Sequence, residues 1–212
     1  MILPLQHPFT AIVSGPTGSG KTVFTLKFIK HSRTLVHPPP DDIVWCYGIY
    51  QRAFDRMPAN VKFIQGLPDL DAFTGDRRTL LVIDDLMHEA DEGVSQIFTK
   101  GSHHRNLSVL FLTQNLFFNN KHARTMSLNA QYMVIFKNPR DAAQISHLGR
   151  QMFPSRNGSK FLSESFVDAT TRPYGYLFID LKADTDEHLR VRTNILPDGD
   201  DDSGPHYVYL PK

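Results

Sequence analysis

A three-layer α/β fold, with a mostly parallel central sheet covered by helices on both faces, is what this sequence predicts, on three observations. Short apolar runs alternate with helix-length amphipathic segments. A glycine-rich run, Gly15-Pro16-Thr17-Gly18-Ser19-Gly20-Lys21-Thr22, follows the apolar Ala11-Ile12-Val13 and opens a helix-like stretch. Finally, Leu80-Leu81-Val82-Ile83 is continuously apolar, as a strand covered on both faces must be, and it ends in Asp84-Asp85. The 212 residues suffice for one such domain, and contents of 41% hydrophobic and 21% charged residues are those of an ordinary globular protein.

In chain order, the apolar runs place strands over residues 9–14, 42–47, 61–64, 79–84, 107–113, 131–136 and 174–180, with a last one over 189–195. Helical spacing predicts helices over 21–32, 50–57, 95–101 and 140–151. Pro38-Pro39-Pro40 ends the connection after the first helix, because proline disfavours helix continuation. Asn157-Gly158-Ser159 marks a turn. The expected domain is 1–196. Beyond it, 197–212 forms an acidic, glycine-rich tail with an aromatic end, either frayed or tethering a docking peptide for a neighbouring subunit or partner. The single cysteine, Cys46, rules out an internal disulfide, suits a reducing compartment and lies in an apolar run as a small buried hydrophobe. No apolar stretch is long enough to span a membrane, and no signal peptide is visible at the start. A net charge of +1 means that any nucleic acid is held by a local loop or channel, or by several copies in a ring.

The glycine-rich run has the G-x-x-x-x-G-K-[ST] spacing of a phosphate-binding loop, between a strand and a helix. Its backbone N–H groups curl around phosphates, Lys21 places a charge on the β- and γ-phosphates, and the Thr22 hydroxyl ligates Mg²⁺. Asp84, at the carboxyl end of a buried strand, is expected to hold the same Mg²⁺ through its water shell. Asp85 is the candidate to orient or deprotonate the attacking water, with Glu89 second, although Asp85 could also cap the following turn. Gln114, ending the 107–113 strand, suits a contact with both the γ-phosphate and that water. Arg105, in the loop before the same strand, could reach the nucleotide of an adjacent subunit. His103 and His104 lack partners at ligand spacing, so a metal site there is disfavoured. Asn120-Lys121-His122-Ala123 lacks the Asp that grips guanine, and no arginine-rich lid of a small-molecule kinase is present, which leaves ATP.

Taken together, these segments resemble the HerA–FtsK superfamily, specifically the short genome-packaging ATPases of poxviruses and other large DNA viruses, virophages, and Polinton and adintovirus-like elements. The likeness runs over 8–196, through Trp45-Cys46-Tyr47-Gly48, Phe63-Ile64-Gln65-Gly66-Leu67-Pro68-Asp69, Leu80 to Met87, His103-His104-Arg105-Asn106 into Thr113-Gln114-Asn115, Phe136-Lys137-Asn138-Pro139-Arg140-Asp141 and Tyr174-Gly175-Tyr176-Leu177. The resemblance implies a P-loop NTPase of the additional-strand (ASCE) type. It also implies an Mg²⁺-dependent ATPase that forms a homo-oligomeric ring, pentamer or hexamer, and pumps double-stranded DNA into a preformed capsid through a portal or vertex protein. Such a protein would work in the virion or in the nucleus or cytoplasm of the host cell. Gln114 and Arg105 match the family's sensor glutamine and arginine finger, whereas Asp85 stands where many relatives outside the viral branch carry Glu. Lys121 and Arg124, in a loop at 119–124, either face a central DNA channel or form a solvated surface. Two other functions stay open: a DNA-processing or loader-type ATPase that remodels a protein, and a nucleotide-switched virion assembly component.

Overall fold

The computed structural model describes residues 3–84, 86, 91–101, 105–116, 121–154, 157–197 and 205–211. Its strands are β1 (Leu5–Gln6), β2 (Thr10–Ser14), β3 (Val36–His37), β4 (Asp42–Tyr47), β5 (Val61–Gln65), β6 (Thr79–Asp84), β7 (Leu107–Thr113), β8 (Tyr132–Phe136), β9 (Tyr176–Asp180), β10 (Val191–Thr193) and β11 (Tyr207–Val208). Its α-helices are α1 (Lys21–Lys30), α2 (Ser32–Leu35), α3 (Asp91–Gln96), α4 (Lys121–Asn129), α5 (Ala142–Met152) and α6 (Gly158–Ala169). Among the described residues one large sheet runs in the order β11-β10-β9-β8-β2-β7-β6-β4-β5, and β1 pairs with β3 beside it. From β8 to β5 the strands are parallel, whereas β9, β10 and β11 each run antiparallel to their neighbours.

The sheet is mixed α/β and covered on both faces, as expected. Every residue of β2, β6, β7 and β8 is buried, and strand alternation sends successive side chains into two separate cores. Val13, Trp45, Val82, Leu112 and Val134 face α1 through Phe24, Phe28 and Ile29. Ile12, Cys46, Ile83, Phe111 and Met133 face the opposite way, onto Val94, Met126, Leu148 and Leu162 of α3 to α6. Full burial of such a side chain stabilises by about 1.5–3 kcal/mol, so these two layers dominate the fold's energetics. Cys46 is buried among them, and that burial pushes its thiol up to about 12.

Several elements differ from expectation. The 50–57 segment forms only a tight 3₁₀ turn, Arg52–Arg56, anchored by buried Phe54 stacked on Phe63 at 5.3 Å; Pro58 follows and disfavours helix at Met57. The 95–101 segment is the end of α3 continued by a wider, π-type turn, Ile97–Gly101. The expected loop at 119–124 is a correction: residues from 121 onward are α4, although 117–120 lie outside the described residues. Helix α6 has no counterpart in the expected elements. Its buried Leu162, Ser165, Phe166 and Ala169 have helical spacing, but Asn157, left-handed at φ 49°, gives its start the look of a turn. Within the expected tail, Tyr207 and Val208 pair with Thr193 and Arg192 as an edge strand. Among the described residues no helix is long and apolar enough to cross a membrane.

Candidate nucleotide site

The phosphate loop leaves the buried end of β2 and turns directly into α1. Its entry is fixed by the Gly15 N–H, which donates to the Thr113 carbonyl at 3.1 Å, and its tip by the Ser19 N–H, which donates to the Pro16 carbonyl at 3.1 Å. Gly20 then takes φ 106°, a conformation that side chains rarely adopt. That reversal starts α1, whose first turn carries no acidic residue, so the positive end of its dipole faces the loop uncompensated by a carboxylate of that turn. The Lys21 Nζ donates to the carbonyls of Gly15 at 2.6 Å and Pro16 at 3.1 Å, holding its charge at the mouth of the loop. Among the described residues the buried Ser19 Oγ has no hydrogen-bond partner, a polar atom inside the loop that suits a phosphate oxygen.

β7 lies between β2 and β6, with Thr113 opposite Ser14 and Leu112 opposite Asp84. This insertion brings the loop, Gln114 and Asp84 to the same edge of the sheet. Asp84 is buried there and accepts a long hydrogen bond, 3.5 Å, from Gln51 Nε2. Gln51 belongs to no motif, and no sequence signal marks it. Gln114 is exposed directly after the strand, while the Thr113 hydroxyl donates to the Asn115 carbonyl at 3.1 Å and tightens that turn. The Thr22 hydroxyl, on the first turn of α1, and the Asp84 carboxylate are hard oxygen donors of the kind Mg²⁺ takes, and the residues present fit that ion. Asp85 and Glu89, the two expected base residues, lie outside the described residues, as do His103 and His104.

One expected site residue stands apart from this cluster. Arg105 precedes β7 at the opposite end of the sheet, roughly 20 Å along the strand from the loop. Its guanidinium donates to the carbonyls of Leu70 and Phe73 and to Asp71 Oδ1, the last at 2.6 Å. Lys121 and Arg124 sit on α4, with Arg124 exposed.

Beside the loop opens a cavity of about 1040 Å³. One wall is the loop from Gly18 and the start of α1, including Val23 and Lys27. The other is the segment from Asp168 to Tyr176, with the ends of β10 and β11.

No protein-family model and no curated protein matches this sequence. Solved structures match its fold over nearly the whole length, two of one protein among them. One is the genome packaging NTPase B204 from Sulfolobus turreted icosahedral virus 2 in complex with ATP-gammaS, at 13% identity and TM-score 0.53, covering 96% of this chain and 97% of that one. The other is the same protein in complex with AMPPCP, at 14% identity and TM-score 0.53, covering 96% and 98% respectively. The resemblance drawn from the motifs is thereby borne out at the level of fold: this chain shares, along its length, the fold of a viral genome packaging NTPase.

Proposed function

We propose that this chain is the ATPase of a viral DNA-packaging motor, hydrolysing ATP at the subunit interfaces of a homo-oligomeric ring and driving double-stranded DNA into a capsid through a portal or vertex protein. The observation that carries the reading is the strand order β2-β7-β6, which gathers the phosphate loop, Gln114 and Asp84 on one edge. The likeness in fold to a genome packaging NTPase supports it.

In this reading the loop N–H groups and Lys21 bind the β- and γ-phosphates, and Lys21 exchanges its carbonyl partners for phosphate oxygens. Thr22 and Asp84 hold Mg²⁺, which when bound neutralises charge developing on the transferred phosphoryl. Asp85 takes up the proton of the attacking water, and Gln114 orients that water. Arg105, too distant to serve its own loop, serves the loop of the next subunit. Lys121 and Arg124 meet DNA phosphates without reading sequence.

The test is ATP turnover with and without long double-stranded DNA, for the wild type and for Lys21→Ala, Asp85→Asn and Arg105→Ala. DNA should stimulate turnover, and each change should abolish it. Mixing Lys21→Ala with Arg105→Ala subunits should restore part of the rate, because a mixed interface can pair an intact loop with an intact finger. Nucleotide binding without any DNA-dependent turnover would overturn the motor reading in favour of a nucleotide switch.

A further inference from the structure

The two flanks of the phosphate loop differ. Asp84 and Gln114 stand on one flank, and neither lines the cavity, which opens on the other beside Val23 and Lys27. A triphosphate whose γ end meets Lys21 and Asp84 must send its sugar and base out on the cavity side.

That side is built by the antiparallel part of the sheet. Because β9 opposes β8, the start of β9 lies at the phosphate edge, with Tyr176 opposite Phe136. For the same reason the end of β10 and the start of β11 return there, with Thr193 opposite Tyr207. The chain's last strand is held firmly in that place. The Tyr209 N–H donates to the Val191 carbonyl at 2.8 Å, Asn194 Nδ2 to the Pro205 carbonyl at 2.8 Å, and the Tyr209 hydroxyl to Asp168 Oδ2 at 2.7 Å.

Two large aromatic residues line this cavity while remaining open to water: Tyr174, 71% exposed, and Tyr207, 49% exposed. Tyr174 is held at φ 62°, a conformation costly for a residue with a side chain. Its ring also lies against the loop, since a Cβ on Gly20 would come within 3.1 Å of Tyr174 Cδ1. A strained, exposed aromatic touching a phosphate loop, and a second one on an anchored edge strand lining the same cavity, form a place for a flat apolar ring.

We propose that the C-terminal strand closes the nucleoside end of the nucleotide site, with Tyr174 and Tyr207 stacking on the base of the bound nucleoside triphosphate. The proposal rests on the phosphate-loop reading and extends it to a segment no motif marks. Stacking suits any base, so these rings supply affinity for the nucleoside as a class, while the loop supplies affinity for the phosphates.

Calorimetric titration of the full chain with ATP and with inorganic tripolyphosphate separates the two contributions. Tyr207→Ala and Tyr174→Ala should each weaken ATP by about tenfold and leave tripolyphosphate unchanged. Tyr207→Phe, which keeps the ring, should bind ATP like the wild type, and Lys21→Ala should weaken both ligands. If Tyr207→Ala binds ATP as tightly as the wild type, or loses both ligands equally, the base wall is overturned while the phosphate loop stands. If the wild type binds neither ligand, the nucleotide reading itself falls and the base wall with it.

Discussion

The backbone of Gly15 is bonded to that of Thr113: its N–H donates to the Thr113 carbonyl at 3.1 Å, so the phosphate loop and the strand leading to Gln114 share one rigid junction. Gln114, the residue after that junction, is therefore held beside the phosphate loop by backbone. Replacing Gln114 by Ala should leave the loop intact and lower the maximal ATPase rate by about 100-fold with little change in nucleotide affinity. Parallel binding and turnover measurements check this; equal losses in both would make Gln114 a binding residue.

Helices α5 and α6 touch backbone to backbone where Gly149 meets Gly158. A Cβ on Gly149 would lie 2.2 Å from the Gly158 carbonyl oxygen, and one on Gly158 would lie 2.2 Å from the Gly149 oxygen. Backbone cannot yield as a flexible side chain can, so Gly149→Ala must force the helices apart. The expected cost is about 2–3 kcal/mol, seen as a fall in Tm of about 5–10 °C. A variant melting within a degree of the wild type would show that the pair reseats without loss.

What the sequence made legible follows from this packing. β4, β6 and β7 fall on the expected residues because strands buried on both faces must be apolar at nearly every position. The loop is legible because its glycines, Lys21 and Thr22 each have a fixed task at a fixed spacing. α6 is hidden by the glycine that lets it approach α5, since Asn157-Gly158 at a helix start reads as a turn. α4 is hidden by polarity: of its exposed and buried positions, Met126 is buried but Leu128 faces solvent. The part that Tyr207 plays in the cavity wall has no local signal, because it reaches the cavity through its register with Thr193.

The opposite end of the sheet carries a pH-sensitive contact. His7 Nε2 meets Asn106 Oδ1 at 2.8 Å, and Nδ1 meets the Ser108 Oγ at 2.5 Å. Asn106 Nδ2 donates to the Gly75 carbonyl at 3.3 Å, which turns Oδ1 toward the ring and assigns the Nε2 proton. Nδ1 is then the acceptor, as a neutral imidazole requires. Burial lowers the His7 pKa below 6.5; the Asn106 hydrogen bond and Asp41 oppose this and Arg78 adds to it. Below pH 6.5 the unfolded chain binds this proton before the folded chain does, so stability present above that pH is lost as pH falls through the folded value. Denaturant titrations between pH 7.5 and pH 5 should show a smaller decline for His7→Gln than for the wild type (about pH 5 being where carboxylates begin to contribute). Identical declines would assign the effect to other groups.

Arg105 offers the sharpest separation of structure from catalysis. Within one chain it joins the start of β7 to the turn Leu70–Ala72, donating to the Leu70 and Phe73 carbonyls and to Asp71, whose side chain is 84% exposed. An ion pair with so exposed a carboxylate is worth about 0–1 kcal/mol, so Asp71→Asn should shift Tm by no more than about 4 °C. If Arg105 serves the neighbouring subunit's nucleotide, releasing it from Asp71 should preserve or raise DNA-stimulated turnover, whereas Arg105→Lys should lose most of it because an ammonium cannot reproduce the planar fork. If its task is only to pin the 70–73 turn, Asp71→Asn and Arg105→Lys should lower turnover in proportion to their losses in Tm. Measuring melting and ATPase rate on the same two variants decides between these roles, and a rate loss without a melting loss in Arg105→Lys alone would mark the guanidinium as part of the shared site.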